Sequence, residues 1–419
     1  MNPITPETEI ETDSVQKMSK YKGAFALMTS LFFVWGAIAS LNDILIPHFK
    51  GLFDMNYTQT MLIQFCFFGA YFTMAIPASI LIEKIGYKKG IVTGLIITGL
   101  GCLIFLPASW LLSYPLFLFG LFVMATGSVI LQVVANPYIL ALGPEKTASS
   151  RLNLAQGVNS LATTLAPLIG GYFILGSYDS PEAAAAAVEN PYIGLALFTF
   201  LVAGAIAFAK LPEIAKKTNE KVKGNVLKFK QLRLGVIALT LYVGAEVAIG
   251  SFIVNFLGEP YIAGFEEKKA ATYIPLYWAG LMIGRFLGSA ILQKISAQKV
   301  LLIAAMASVV LLAATIFTTG YVSMWSMLAV GLFNSIMWSN IFDLSIRGLG
   351  KYTNKASGIL VMAPVGGAIF PLLQGVLADS PAVGIHMSYF LPLACYTFII
   401  YYAIDGYKPK EGELEQVES

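Results

Sequence analysis

Two segments of nearly the same pattern lie 210 residues apart in this chain: Ser79-Ile-Leu-Ile-Glu-Lys-Ile-Gly-Tyr-Lys-Lys89 and Ser289-Ala-Ile-Leu-Gln-Lys-Ile-Ser-Ala-Gln-Lys299. A shorter match, Gly120-Leu-Phe122, recurs as Gly331-Leu-Phe333 at an offset of 211 residues. Each pair also occupies the same place relative to the surrounding apolar runs. The agreement in both offset and position indicates a duplicated unit of six apolar runs.

The composition places this duplicated chain in a membrane. Of its 419 residues, 57% are hydrophobic and only 12% are charged, whereas soluble domains carry about 25% charged residues. The mean hydropathy is +0.72. So little polar surface excludes a soluble enzyme, a disordered chain and a nucleic-acid binder, and it predicts a polytopic all-α membrane protein.

The apolar runs can be counted as spans, because a bilayer core of about 30 Å needs about 20 apolar residues in a helix. We number them in chain order. The runs predict twelve spans: 23–47, 58–82, 90–110, 114–141, 151–175, 191–211, 232–258, 270–293, 299–319, 323–347, 354–378 and 386–405.

The longest polar connection divides these spans six and six. The predicted organisation is a tail over 1–22, a six-helix bundle over 23–211, a linker over 212–231, a second bundle over 232–405 and a tail over 406–419. The linker is rich in lysine.

If both termini are cytoplasmic, only Lys50, Lys268 and Lys269 of the 27 Lys and Arg residues face outward. The positive-inside rule therefore predicts cytoplasmic termini in an inner, or plasma, membrane.

Four ionisable residues lie at membrane depth, where a charge is costly and marks a functional candidate. Asp43 of span 1 follows an amide, Asn42, and this pair can carry a proton or offer oxygen ligands to a small cation. Glu246 of span 7 is a candidate acceptor for a substrate hydroxyl, a second titrating group or a partner of Arg285. Arg285 of span 8 and Asp343 of span 10 are expected to form a structural or gating ion pair.

Amides form the second group of polar residues in the spans. They require hydrogen-bond partners, either from neighbouring helices or from a substrate. Residues three or four apart share one face of a helix. Amides beside flat aromatic faces suit a neutral polyhydroxylated ring, and we predict substrate contacts from Gln132, Asn136, Gln156, Asn159, Glu246, Asn255, Trp278, Asn334, Trp338 and Gln374.

Several other classes of site are not supported. Three cysteines without a C-x-x-C pair and two histidines argue against a disulfide framework or a metal cage. No phosphate-binding loop or nucleophile motif is visible, so we expect no enzymatic activity, no cofactor and no nucleic-acid partner. The N-terminal 22 residues lack the pattern of a cleavable signal peptide.

The halves and their motifs resemble a known superfamily. Duplicated six-helix halves with a basic central loop are the layout of the major facilitator superfamily, in which two bundles rock about a midplane site. The segment that contains Glu83 partly resembles its loop 2–3 signature, which gives Glu83 a gating or structural role. Two motifs, Asn42-Asp-Ile-Leu-Ile-Pro47 and Leu131-Gln-Val-Val-Ala-Asn-Pro-Tyr138, resemble the fucose–proton symporter family. Tyr242-Val-Gly-Ala-Glu246 and Val365-Gly-Gly-Ala-Ile-Phe-Pro371 look like its glucose/galactose transporter branch.

This resemblance implies an alternating-access monomer that couples a hexose to a cation. Of the family's two essential acids, one matches Asp43 and the other falls on Gln132, which cannot titrate. The change makes Na⁺ at Asp43, with Asn42 and Gln132 nearby, slightly favoured over H⁺. The family's span 5 amides match Gln156 and Asn159, which the resemblance makes sugar contacts.

The sequence therefore predicts a symporter that imports a neutral hexose such as glucose, galactose or mannose. A drug–proton antiporter on the same fold and an uncoupled sugar facilitator remain alternatives. The acid in span 1 argues against the facilitator, and the many amides argue against the antiporter. An integral-membrane enzyme acting on lipid-linked sugars would need a catalytic pair at the interface, and none is visible.

Overall fold

The computed structural model describes residues 6–55, 62–174, 178–212, 225–266, 269–270 and 272–410. Within these ranges the side chains of 6–21, 42–44, 46, 47, 50, 64, 167, 168 and 171 are not described. The described backbone consists of helices joined by turns, without a β-strand. The predicted all-helical class is confirmed.

The first six spans are helices, and most of their bounds lie within a few residues of the apolar runs. The first helix is the exception, because it begins at Pro6 and so includes residues 6–22, which were predicted as a tail. Their apolar residues are too numerous to alternate with polar ones, so most sides of each helix are apolar. In order, the helices are Pro6–Leu52, Leu62–Ile85, Tyr87–Leu103 with Phe105–Trp110, Tyr114–Ala141, Ala148–Ile174, and Pro181–Ala186 with Glu189–Phe208.

The second six spans contain more breaks than the first six. Spans 10, 11 and 12 are each divided, and span 12 ends in a π-helical turn. In order, the helices are Lys230–Gly258, Ile274–Ile291, Ala297–Phe317, Gly320–Asn334 with Met337–Ile346, Thr353–Val361 with Gly366–Asp379, and Gly384–Ser388 with Phe390–Tyr401 and Tyr402–Gly406.

The number of spans agrees with the prediction. Eleven helical segments of the described chain are long and apolar enough to cross a membrane. Ala148–Ile174, with 27 residues, stands where span 5 was predicted. At 1.5 Å per residue it is about 40 Å long, enough to cross the hydrocarbon core. Large apolar side chains point outward, and Phe208 is 91% exposed, as expected of a surface that faces lipid.

Prolines explain two breaks that the apolar pattern did not predict. Proline has no backbone N–H, so it cannot donate to the carbonyl four residues earlier. In span 3 this carbonyl belongs to Leu103, where the first helical segment ends before Pro107. In span 12 it belongs to Ser388, the last residue of a segment that precedes Pro392. Spans 3 and 12 are therefore divided at a proline.

The described residues form two compact units. One comprises Met1–Ala70 and Pro77–Lys221, and the other comprises Tyr71–Ile76 and Val222–Ser419. In the first unit, spans 3 and 4 pack closely where both have small residues, and Phe105 stacks on Tyr192 with ring centroids 3.9 Å apart. In the second unit, span 7 is central and packs against spans 10, 11 and 12.

Gly127 lies at the closest approach of spans 3 and 4, and its replacement by alanine should weaken the first unit. A Cβ atom there would press against Thr98 Oγ1 and lie 2.5 Å from the carbonyl oxygen of Gly94. Although alanine favours a helix, such an overlap should lower stability by about 1–3 kcal/mol. Thermal unfolding of Gly127→Ala in detergent measures this loss.

Gly204→Ala is the matched control, because Gly204 also lies in a span and a Cβ atom there would meet nothing within 4 Å. We expect Gly204→Ala to melt at the wild-type temperature or slightly above it. Equal melting temperatures for the two variants would show that spans 3 and 4 can separate without cost.

Candidate functional site

A group of buried amides in the first unit is the first polar site. Gln132 and Asn136 lie one turn apart on span 4 and are 1% and 0% exposed. Gln156, on span 5, is also buried, and spans 4 and 5 pack against each other. Among the described residues, neither Asn136 Oδ1 nor Asn136 Nδ2 has a hydrogen-bond partner. A buried amide that lacks its hydrogen bonds is costly, so this position favours an additional polar ligand.

Asn159 has a different environment from the other span 5 amide. Its Nδ2 donates a hydrogen bond of 2.9 Å to the backbone oxygen of Phe32 in span 1. Gly36 makes this approach possible, because a Cβ atom there would lie 2.7 Å from Asn159 Nδ2. The Asn159 amide nitrogen therefore joins two helices, and only its oxygen remains for the predicted contact with sugar.

The predicted cation site falls on Asn42 and Asp43, whose side chains lie outside the described residues. Their backbone belongs to the span 1 helix, which packs against spans 4 and 5. Glu83, predicted to have a gating role, is half-buried near the end of span 2. It belongs to the first unit, as do the buried amides.

Arg151 fixes the corner between spans 4 and 5, and the sequence did not single it out. Its guanidinium donates to the backbone oxygens of Ile139, Leu140 and Pro144, at 3.2, 2.6 and 3.0 Å, and to Thr147 Oγ1 at 2.7 Å. The last carbonyls of a helix lack partners within the helix, and the negative end of its dipole attracts a cation. Arg151 thereby anchors the end of the helix that carries Gln132.

A chain of hydrogen bonds in the second unit joins four spans. Tyr396 donates from span 12 to Asn334 Oδ1 in span 10 at 2.7 Å, and Asn334 Nδ2 donates to the hydroxyl of Tyr277 in span 8 at 2.8 Å. Tyr277 in turn donates to the backbone oxygen of Glu246 in span 7 at 3.1 Å. The predicted residue Asn334 is thus linked through Tyr277 to the backbone of Glu246, another predicted residue.

The Glu246 side chain is buried beside this chain of hydrogen bonds. It is 9% exposed, and its Oε1 has no hydrogen-bond partner among the described residues. The charge of Arg285 acts on it from span 8. Tyr242 lies one turn earlier on the same face of span 7, and its hydroxyl is placed to donate a hydrogen bond to the Glu246 carboxyl. Arg285 is therefore near Glu246, and the sequence analysis had considered Glu246 as a partner of Arg285.

The ion pair of Asp343 differs from the expectation. The suggested partner was Arg285, but Arg347, one turn further along, donates to Asp343 Oδ2 at 2.5 Å. A pair four residues apart forms readily on one helix, so a distant arginine is not needed. Trp338 is buried on the same helix and stacks on Phe342, and its Nε1 has no hydrogen-bond partner among the described residues.

Three other predicted contacts have different surroundings, although Trp278 packs edge-to-face on Tyr277 with ring centroids 5.3 Å apart. Asn255 and Trp278 are exposed on spans 7 and 8. Gln374 is buried in span 11, where its Nε2 donates to Ser388 Oγ at 3.2 Å. The Gln374 bond holds span 11 to the start of span 12, which is an interhelical role.

Sequence reasoning missed the tyrosines of the second unit. Tyr242 stands four residues before Glu246, and this spacing could have revealed it because both side chains share a face. Tyr277 and Tyr396 carry no such signal, since their partners are far away in the chain. Each of the two polar sites offers uncharged donors and acceptors, and the second also has a buried acid, which suits binding of hydroxyl groups.

Comparison with known proteins identifies the family that shares this helical architecture. The model of the Major Facilitator Superfamily matches residues 23–371. The chain belongs to the major facilitator superfamily. It is 48% identical to the glucose/galactose transporter of Brucella abortus (strain 2308) over 97% of this chain and 98% of that protein. It is 33% identical to the L-fucose-proton symporter of Escherichia coli (strain K12) over 94% of this chain and 97% of that protein.

A solved structure of this superfamily supports the same assignment. The chain matches the crystal structure of a Major Facilitator Superfamily transporter in the outward conformation with a TM-score of 0.84 and 32% identity. The match covers 91% of this chain and 98% of that one. The predicted major facilitator fold and the resemblance to the glucose/galactose branch are confirmed. The relatives are named as transporters, in agreement with the expectation that the chain is not an enzyme.

Proposed function

We propose that this major facilitator protein imports a neutral hexose by symport with a cation. The observation that carries the proposal is the buried amide group of the first unit. Gln132, Asn136 and Gln156 are at most 3% exposed, and both polar atoms of Asn136 lack hydrogen-bond partners among the described residues. Hydroxyl groups of a sugar can donate to the amide oxygens and accept from the amide nitrogens.

The uncharged nature of these groups supports a neutral substrate. An anionic sugar would require a cation in the site, whereas Gln132, Asn136 and Gln156 carry no charge. The 48% identity to a glucose/galactose transporter supports a hexose, with glucose and galactose as the first candidates. In the second unit, the buried carboxyl group of Glu246 is a further polar group, whereas both polar atoms of Asn334 already bond to tyrosines.

The coupling cation is proposed to bind at Asp43, with Asn42 and Gln132 nearby. Sodium is favoured because Gln132 cannot exchange a proton, while an amide oxygen and a carboxylate are suitable ligands for a hard cation. The relative named as an L-fucose-proton symporter supports H⁺ as the alternative. In this proposal the protein works as a monomer in the inner membrane, with both termini cytoplasmic.

Uptake of labelled glucose into proteoliposomes tests the proposal. The membrane potential is clamped, and an inward Na⁺ gradient at equal pH is compared with an inward H⁺ gradient without Na⁺. We expect accumulation above the external concentration with the Na⁺ gradient. Entry that only equilibrates under both gradients would indicate a facilitator. If glucose does not enter at all, galactose and mannose are tested, and failure of all three would contradict hexose transport.

A further inference from the structure

Glu246 differs from the other buried acid of the second unit. Asp343 is paired with Arg347, whereas Glu246 Oε1 has no hydrogen-bond partner among the described residues. Glu246 is nevertheless 91% buried, since its exposed fraction is 9%. An ionised carboxylate that is buried without hydrogen bonds to both oxygens is costly. Binding a proton removes that cost, so the position favours a group that gains and loses a proton.

The surroundings of Glu246 leave its carboxyl group able to change state. The tyrosine–asparagine chain ends on the backbone oxygen of Glu246, so it holds the helix and does not neutralise the acid. The groups that face the carboxyl from the packed helices are Arg285 and Tyr277 from span 8, Tyr396 from span 12 and Tyr242 from its own helix. Span 11 places an apolar ring, Phe370, against the neighbouring Gly244.

These groups give the two protonation states different partners. An ionised Glu246 is attracted by Arg285 across the contact between spans 7 and 8, and a protonated Glu246 is not. The protonated carboxyl offers one O–H donor and one acceptor oxygen, which can engage a hydroxyl group directly. Proton binding therefore exchanges an attraction within the protein for a hydrogen-bonding group that a sugar can use.

We propose that Glu246 is a second ion site, which takes a proton from the outer solution, binds the sugar tightly only while protonated, and releases the same proton to the cytoplasm. This inference rests on the proposed hexose transport and adds a proton in the second unit to the cation at Asp43. Because binding is reciprocal, sugar must raise the affinity for the proton as much as the proton raises the affinity for sugar.

The dependence of glucose affinity on pH, measured by equilibrium binding to the purified protein in detergent, tests the inference. For the wild type we expect binding to tighten as pH falls, by up to about tenfold per pH unit if one proton is linked. Glu246→Gln keeps the shape of the side chain and cannot ionise, so its affinity should be the same at every pH. Glu266→Gln, an exposed acid of an outer loop, should follow the wild type.

A second measurement needs no substitution at Glu246. Glucose added to the protein in weakly buffered solution should cause uptake of about one proton per sugar bound. The uptake should persist in Asp43→Asn, which leaves Glu246 as the source. Loss of the uptake in that variant, or wild-type binding that is independent of pH, would overturn the proton site and leave hexose binding intact. If none of the hexoses binds at any pH, the proposed function itself fails and this inference fails with it.

Discussion

Asp43→Asn should abolish concentrative uptake of the hexose while exchange of labelled for unlabelled sugar continues. The variant keeps the size of the side chain and removes the charge that would hold Na⁺ or exchange a proton. Under an inward Na⁺ gradient at equal pH on both sides, the variant binds no Na⁺ and the proton proposed at Glu246 has no gradient, so the ratio of internal to external sugar should fall to about one. Uptake at steady state and counterflow, measured on the same proteoliposomes, separate the two activities.

The matched control is Asp179→Asn, which removes an exposed acid from a loop of the same unit. It should accumulate sugar as the wild type does. Full concentrative uptake by Asp43→Asn would exclude Asp43 as the coupling site. Loss of counterflow together with uptake would instead give Asp43 a role in binding the sugar or in folding, which a melting temperature distinguishes.

Arg151→Ala should cause a large loss of stability. The change removes hydrogen bonds to three backbone carbonyls at the corner between spans 4 and 5 and leaves these oxygens without their charged donor. Hydrogen bonds to a charged group contribute about 1.5–3 kcal/mol each, so we expect a total loss of about 3 kcal/mol or more. Thermal unfolding in detergent and equilibrium binding of glucose measure the effect.

Two further variants make the Arg151 result specific. Lys146→Ala removes an exposed cation from the same connection and should melt like the wild type. Arg151→Lys keeps the charge but cannot reach four acceptors with the planar fork of guanidinium, so its stability should lie between those of the wild type and Arg151→Ala. Equal stability of Arg151→Ala and the wild type would mean that water replaces the guanidinium at no cost.

The sequence was sufficient to predict the helical class and the number of spans. Hydrophobic runs report directly on what can lie in lipid, and span 4 was predicted with its bounds, Tyr114–Ala141. The breaks inside spans 10 and 11 were not predicted. In span 10, Ser335 Oγ bonds to the Leu332 carbonyl beside the close approach of Gly284. The approach of Gly284 comes from span 8, and a hydropathy profile carries no information on contacts between helices.

The candidate site could be predicted only in part, because a buried amide has the same sequence signal whatever it contacts. Asn136 and Asn159 looked equivalent, yet one lacks hydrogen-bond partners and the other bonds to the Phe32 backbone. Likewise, Asn334 and Gln374 were both expected to face substrate, and the structure gives each of them protein partners. Partners that are far apart in the chain require the tertiary structure.

The hydrogen bond from Asn159 to Phe32 has a mechanical consequence for energy coupling. The bond holds span 5 to span 1 where Gly36 leaves no space for a side chain between them, so these two helices should move as one rigid body. Asp43 lies on span 1 of this rigid body, and Gln156 lies on span 5. The proposed ion and sugar sites would then keep a fixed separation throughout the transport cycle, so the ion and the sugar would have to cross the membrane together.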